Sequence, residues 1–99
     1  MNEAEFKSDG DGKYRVAGNL VFTTVRDVLR QSEAAFAGDA QLVIDLSAVT
    51  SADSAGLALL VEWFRAADRA RKPLRLIGAP AQLRALAKIS DLETVLPFA

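Results

Sequence analysis

The apolar positions along this chain change rhythm several times, and each change marks an element. Lys13 to Gly18 alternates polar and apolar residues, with Tyr14 and Val16 on one side, which is the period of a half-buried strand. Val25, Val28, Leu29 and Phe36 then recur at helical spacing. Thr23 or Thr24 suits the N-cap of that helix, and Gly38-Asp39 closes it. Gln41 to Leu46 holds Leu42-Val43-Ile44 in a row, the pattern of a strand buried on both faces. A stronger helix is predicted from near Ser54 to about Arg71, stopped by Pro73, and Leu74 to Gly78 reads as another apolar strand. Pro80 stands where a first helical residue tolerates a missing N–H, opening a third helix with Leu83, Leu86 and Ala87 on one face. Leu92, Val95 and Leu96 end the pattern as a short apolar segment.

Residues 1–12 form a polar N-terminal segment, and the domain proper is expected over 13–97. Within that segment Asp9-Gly10-Asp11-Gly12 is a turn signal, because glycine tolerates positive φ and aspartate bonds its own backbone. If Glu5 to Ser8 is a strand, the turn makes a hairpin with the next one. The order is then β-β-α-β-α-β-α: a single α/β domain in which helical crossovers impose parallel strand pairs and right-handed connections.

Composition narrows the function more than the fold. The 99 residues include 12 basic and 13 acidic side chains, for a net charge of −1, and neither cysteine nor histidine. Zinc sites, Cys/His or Ser/His catalysis and a disulfide framework are thereby excluded. A near-neutral chain is not a dedicated nucleic-acid binder, whose affinity rests on neutralising many phosphates. The longest apolar run, Ala55 to Val61, is far short of the ~20 residues that span a bilayer, so no direct membrane insertion is expected. The start, Met1-Asn2-Glu3-Ala4-Glu5, lacks the basic and apolar regions of a secretory signal, and the expected location is the cytoplasm. Gly10-Asp11-Gly12 lacks the third glycine of a dinucleotide loop, and nothing has P-loop spacing. Asp45 and Asp53 are the one carboxylate pair considered for acid–base work. With no nucleophile or cofactor motif beside them, a non-catalytic protein without cofactor or metal is expected.

The central helix is unusual in how much of its surface is apolar. At 100° per residue, Leu57, Leu59, Leu60, Trp63, Phe64 and Ala67 cover a broad arc, with Glu62, Arg65, Asp68 and Arg69 on the remainder. Leu59 and Trp63 lie at its margin. Either the fold wraps far enough round to bury them, or that flank faces a partner, where tryptophan is a frequent anchor. Asp53 and Ser54 stand at the helix start, where free N–H groups and the dipole favour an oxygen acceptor. Plain capping accounts for such a pair. An exposed serine there is also a candidate phosphoacceptor, and a phosphoryl group would add nearly two negative charges beside Asp53 and near Asp45. Gly56 in the first turn has no capping rationale and costs ~1 kcal/mol against alanine, which points to close approach by another backbone or a partner. The basic run Arg65, Arg69, Arg71, Lys72 and Arg75 suits a solvated helix end, with anionic lipid head groups as the alternative contact.

Val43-Ile44-Asp45-Leu46-Ser47-x-Val49, followed by Asp53-Ser54-x-Gly56-Leu57-x-x-Leu60, resembles the STAS domain family, named for sulphate transporters and anti-sigma-factor antagonists. Leu74-Arg75-Leu76-Ile77-Gly78 and Leu83-x-x-Leu86 fit as well, so the resemblance runs from about residue 13 to residue 97. It implies a small mixed sheet flanked by three to four helices. It also implies a partner-binding surface at the Asp53-Ser54 helix start, made of Asp53, Ser54, Gly56, Leu57 and Ala58 with Asp45 in support. Two branches compete. In anti-sigma-factor antagonists the serine matching Ser54 is phosphorylated by a kinase-like anti-sigma factor. That branch usually shows Gly-Leu-Gly after the serine, where this chain has Gly56-Leu57-Ala58-Leu59-Leu60.

That segment and the tail Leu86-Ala87-Lys88 … Leu92-x-x-Val95-Leu96-Pro97 look more like the MlaB branch. The resemblance there implies a cytoplasmic subunit that docks on the ATPase of a phospholipid-moving ABC transporter. Through the ATPase it would reach the permease, placing it at the inner membrane. On this sequence reading, Ser54→Ala removes a hydroxyl contact and a cap worth ~1 kcal/mol.

Overall fold

The computed structural model describes residues 3–99. Gly10, Asp11 and Gly12 all take positive φ, at 89°, 53° and 76°, and this turns the chain back on itself. Strand β1 (Ala4–Gly10) therefore lies antiparallel to β2 (Lys13–Leu20), with Phe6 opposite Val16. Gly12 is required twice over, because a Cβ there would sit 2.6 Å from the Gln41 carbonyl oxygen. Helix α1 (Val25–Gly38), strand β3 (Leu42–Ala52), helix α2 (Ser54–Arg69), strand β4 (Leu74–Ile77) and helix α3 (Ala81–Ile89) follow. The expected element order holds.

The sheet order is β1-β2-β3-β4, with β3 parallel to both β2 and β4. Each right-handed crossover moves the chain the same way across the sheet, so all three helices fall on one face. The 19 Å short axis is the depth of one sheet layer and one helix layer. This corrects the reading of β3 as a strand buried on both faces: Leu42, Ile44 and Leu46 are buried under the helices, whereas Val43 and Asp45 are half-exposed on the open side. The winding never reverses, so the sheet has no switch-point crevice of the kind that holds ligands in doubly wound folds.

β3 is also longer than its apolar run. It continues past Leu46 to Ala52, and its register against β2 slips twice, between Arg15 and Ala17 and between Gly18 and Asn19. Both slips put an extra residue on β3, so its buried positions fall at Leu42, Ile44, Leu46, Val49 and Ala52. Thr24 is the residue at the N-cap of α1, but its hydroxyl does not cap the helix. It donates to the Asn19 carbonyl at 2.6 Å and accepts from the Val21 N–H at 3.0 Å, fixing the turn between β2 and α1.

The broad apolar arc of α2 is absorbed by the fold. Trp63 is fully buried, with ring contacts to Phe6 (5.7 Å between centroids) and Phe36 (6.2 Å), and its Nε1–H donates to Ser32 Oγ at 2.9 Å. Leu59 is buried as well, so neither residue is a surface anchor for a partner. The chain ends along the free edge of β4: Leu76 bridges to Phe98, its N–H donating to the Pro97 carbonyl and its carbonyl accepting from the Ala99 N–H. Arg84 lies over the Phe98 ring, 4.9 Å from its centroid. Among the described residues no helix is long and apolar enough to cross a membrane.

Candidate partner-binding site

β3 delivers the chain to the start of α2, and Asp53 makes the junction. Its Oδ1 accepts from the Ala55 N–H at 2.8 Å and from the Gly56 N–H at 3.4 Å, which caps the helix. Its Oδ2 accepts from the Phe22 N–H at 3.2 Å, and its own N–H donates to the Leu20 carbonyl at 3.2 Å. Asp53 is thus the N-cap and Ser54 the first helical residue. The expectation that Ser54 contributes a cap is corrected accordingly.

Gly56 is buried where α2 passes over the end of β2. A Cβ on it would lie 2.6 Å from the Leu20 carbonyl oxygen, 3.1 Å from Leu20 Cβ and 3.3 Å from Ala52 Cβ. The close approach expected of this glycine is therefore to the protein's own backbone. Leu57 is 6% exposed and belongs to the core, showing only an edge. Of the five residues assigned to the surface, Ser54 and Ala58 are exposed, Asp53 is half-exposed, and Gly56 and Leu57 support them from beneath.

Ala58 and Glu62 form a ridge between two grooves. One, about 530 Å³, runs between α1 and α2 over Phe22, Val25, Leu29, Ala55 and Leu59, with Arg26 and Glu62 on opposite walls. The other, about 320 Å³, lies on the far side of α2 over Ser54, Leu57, Val61 and Leu92. Phe22, at the rim of the first groove, is 81% exposed. No repeating pattern in the sequence marks it. The available signal was the adjacent pair Val21-Phe22, in which Phe22 fits neither the alternation of β2 nor the helical spacing of α1.

Asp45 is not part of this cluster. Its side chain is on the open face of the sheet, and about six rungs of the ladder, roughly 20 Å, separate it from Asp53. Its Oδ1 accepts from the Ser47 N–H at 2.8 Å, and hydrogen bonds from Ser47 hold its pKa below the ordinary carboxylate value. Asp45 and Asp53 therefore form no carboxylate pair, and Asp45 adds no charge beside Ser54. The basic run is dispersed too: Arg65 lies 3.8 Å from Glu62, Lys72 Nζ donates to the Phe36 carbonyl, and Arg75 is exposed on β4. No group of three or more histidine, cysteine, aspartate or glutamate side chains able to hold a metal occurs among the described residues.

A mixed four-stranded sheet under three helices is a fold that this chain shares with structures described as anti-sigma factor antagonists. The chain superposes on a candidate anti-sigma factor antagonist from Thermotoga maritima with a TM-score of 0.77 at 15% identity, covering 94% of this chain and 82% of that one. The phosphorylated Bacillus cell-fate determinant SpoIIAA gives 0.72 at 14% identity, over 97% and 90%. The murine anion transporter Solute Carrier 26 family member A9 gives 0.62 at 16% identity, over 95% of this chain but only 18% of the transporter. No curated protein matches the sequence. The family profile described as "Mlab, STAS domain" matches residues 5–97, and the chain belongs to the STAS domain family.

Proposed function

We propose that this chain is a non-catalytic STAS subunit that docks, through the first two turns of α2, on the ATPase of an ABC complex moving phospholipid. In this reading it sits in the cytoplasm against the inner membrane, held there by its partner, and helps maintain outer-membrane lipid asymmetry. The observation that carries the reading is the match of nearly the whole chain to the MlaB-type profile. The geometry supports it: an exposed hydroxyl and a small ridge residue stand between two apolar-floored grooves, with a phenylalanine ring left in solvent beside them. Contact there regulates the ATPase only if it stabilises one of its states over another.

A second reading is favoured by one feature, the exposure of Ser54 next to the Asp53 carboxylate. A phosphoryl group on Ser54 would gain the helix dipole but face that carboxylate, switching off an acidic partner as in an anti-sigma-factor antagonist. Mild-detergent purification of the tagged chain from its native cells, with mass spectrometry, separates the two. An ATPase and permease are expected to co-elute; a kinase-like protein without them would reverse the ranking. With the ATPase in hand, Ser54→Glu is expected to weaken docking strongly by placing a charge in the contact, and Ser54→Ala mildly. Equal ATPase activity with all three forms would remove this surface from the proposal.

A further inference from the structure

The Asp53 carboxylate does two jobs with its two oxygens. Oδ1 caps α2 through Ala55 and Gly56, while Oδ2 reaches across to the N–H of Phe22, in the turn between β2 and α1. That turn is otherwise fixed from inside, where the buried Thr24 hydroxyl bonds Asn19 and Val21. The Phe22 ring itself projects into solvent at the groove rim, and its backbone is held from the outside by Asp53.

We infer that Asp53 is a positioning residue: it clamps the Phe22 turn to the start of α2, so that the ring and the Ser54 hydroxyl are presented as one unit. The inference deepens the docking reading above and rests on it for its functional meaning. The clamp couples the two positions because Asp53 is covalently adjacent to Ser54. A change in what surrounds the carboxylate at Ser54 alters its hold on Phe22, although the two residues belong to different elements. A charged acceptor is needed for this, since one carboxylate has an oxygen for each element and an amide side chain does not.

That asymmetry gives the test. Asp53→Asn keeps a preferred N-cap with one carbonyl oxygen for Ala55, but turns an N–H₂ donor towards the Phe22 N–H. Asp53→Ser also caps and is too short to reach Phe22. In the isolated 99-residue chain labelled with ¹⁵N, both variants are expected to exchange the Phe22 amide about tenfold faster or more, as for loss of a hydrogen bond to a charged group, while Ala55 stays protected. An unchanged Phe22 rate would overturn the clamp, and so would equal acceleration of Phe22 and Ala55, since the carboxylate would then be a cap alone.

A second arm uses the ATPase recovered with the wild-type chain. Asp53→Asn and Phe22→Ala are expected to weaken its capture to a similar degree. Wild-type capture by Phe22→Ala would overturn the role of the ring while leaving docking through α2 intact. Recovery of no ATPase would defeat the docking reading itself, and the exchange rates would still decide the clamp.

Discussion

Replacing Gly56 by alanine sets two effects of known sign against each other. In an exposed helix the change stabilises by about 1 kcal/mol, because alanine loses less backbone freedom on folding. Here the new methyl would stand 2.6 Å from the Leu20 carbonyl oxygen and within 3.3 Å of two further carbons. The oxygen cannot swing aside freely, since it accepts the Asp53 N–H and closes the end of the sheet. Making room lifts α2 off β2, which disturbs the packing of Leu57 and Leu60 and pulls that hydrogen bond apart at the same time. Overpacking of this kind costs about 1–3 kcal/mol and the bond a further ~1 kcal/mol, so the steric side wins by roughly 1–3 kcal/mol. For a chain of this size that is a fall in Tm of roughly 5–20 °C, readable by calorimetry or urea titration. Gly38→Ala is the control: nothing lies within 4 Å of a Cβ there, its φ is negative, and a gain of about 0.4–1 kcal/mol is expected. If Gly56→Ala melts at or above the wild-type temperature, the close approach of α2 to β2 is wrong.

Ser32→Ala leaves the buried Trp63 indole N–H without its acceptor and is expected to cost about 1–3 kcal/mol in urea unfolding, with less than additive loss when combined with Trp63→Phe. Asp45, whose pKa is lowered in the fold, contributes stability that is present above the ordinary carboxylate value and lost as pH falls through the folded one. The Tm curves of wild type and Asp45→Asn should therefore differ at neutral pH and converge in acid; a constant offset would refute this. Tyr14 donates to Asp39, and that bond raises its pKa. Its contribution is full below the ordinary phenol value near 10 and is lost as pH rises through the folded value; Asp39→Asn should bring phenolate absorbance back towards lower pH.

What the sequence reveals and what it conceals follow from which forces are local. The hairpin at Gly10-Asp11-Gly12 and the end of α1 at Gly38-Asp39 are written in residues whose backbone preferences act on their own, whereas α2 ends at Arg69, ahead of the expected stop at Pro73, with Arg71 at a φ of 56° that no glycine announces. The width of the apolar arc on α2 is legible, but its cause is not, because the contacts of Trp63 with Phe6 and Phe36 join residues far apart in sequence. The open face of the sheet is hidden for the opposite reason: Leu42-Val43-Ile44 is apolar throughout, and only the direction of winding decides that Val43 meets solvent. At the site, Ser54 and Ala58 are visible from the helix start. Gly56 announces a close approach without naming Leu20 as the other party, and Phe22 belongs to no repeating pattern. Asp45 and Asp53 look close because the apolar run stops at Leu46, whereas the strand continues to Ala52 and holds them apart.

The two extra residues in β3 give the strand a signature that a saturation-mutagenesis screen for folded protein could hear without any structure. Up to Leu46 tolerance should alternate, with Leu42, Ile44 and Leu46 refusing polar substitutes while Val43 and Asp45 accept them. Beyond Leu46 the beat lengthens from two residues to three, falling on Val49 and Ala52. The two single-residue shifts cancel in a two-residue period, so Ala52 and the junction at Asp53 return to the phase an unbulged strand would give them. Val49, lying between the shifts, is the position carried from the open face to the helix side.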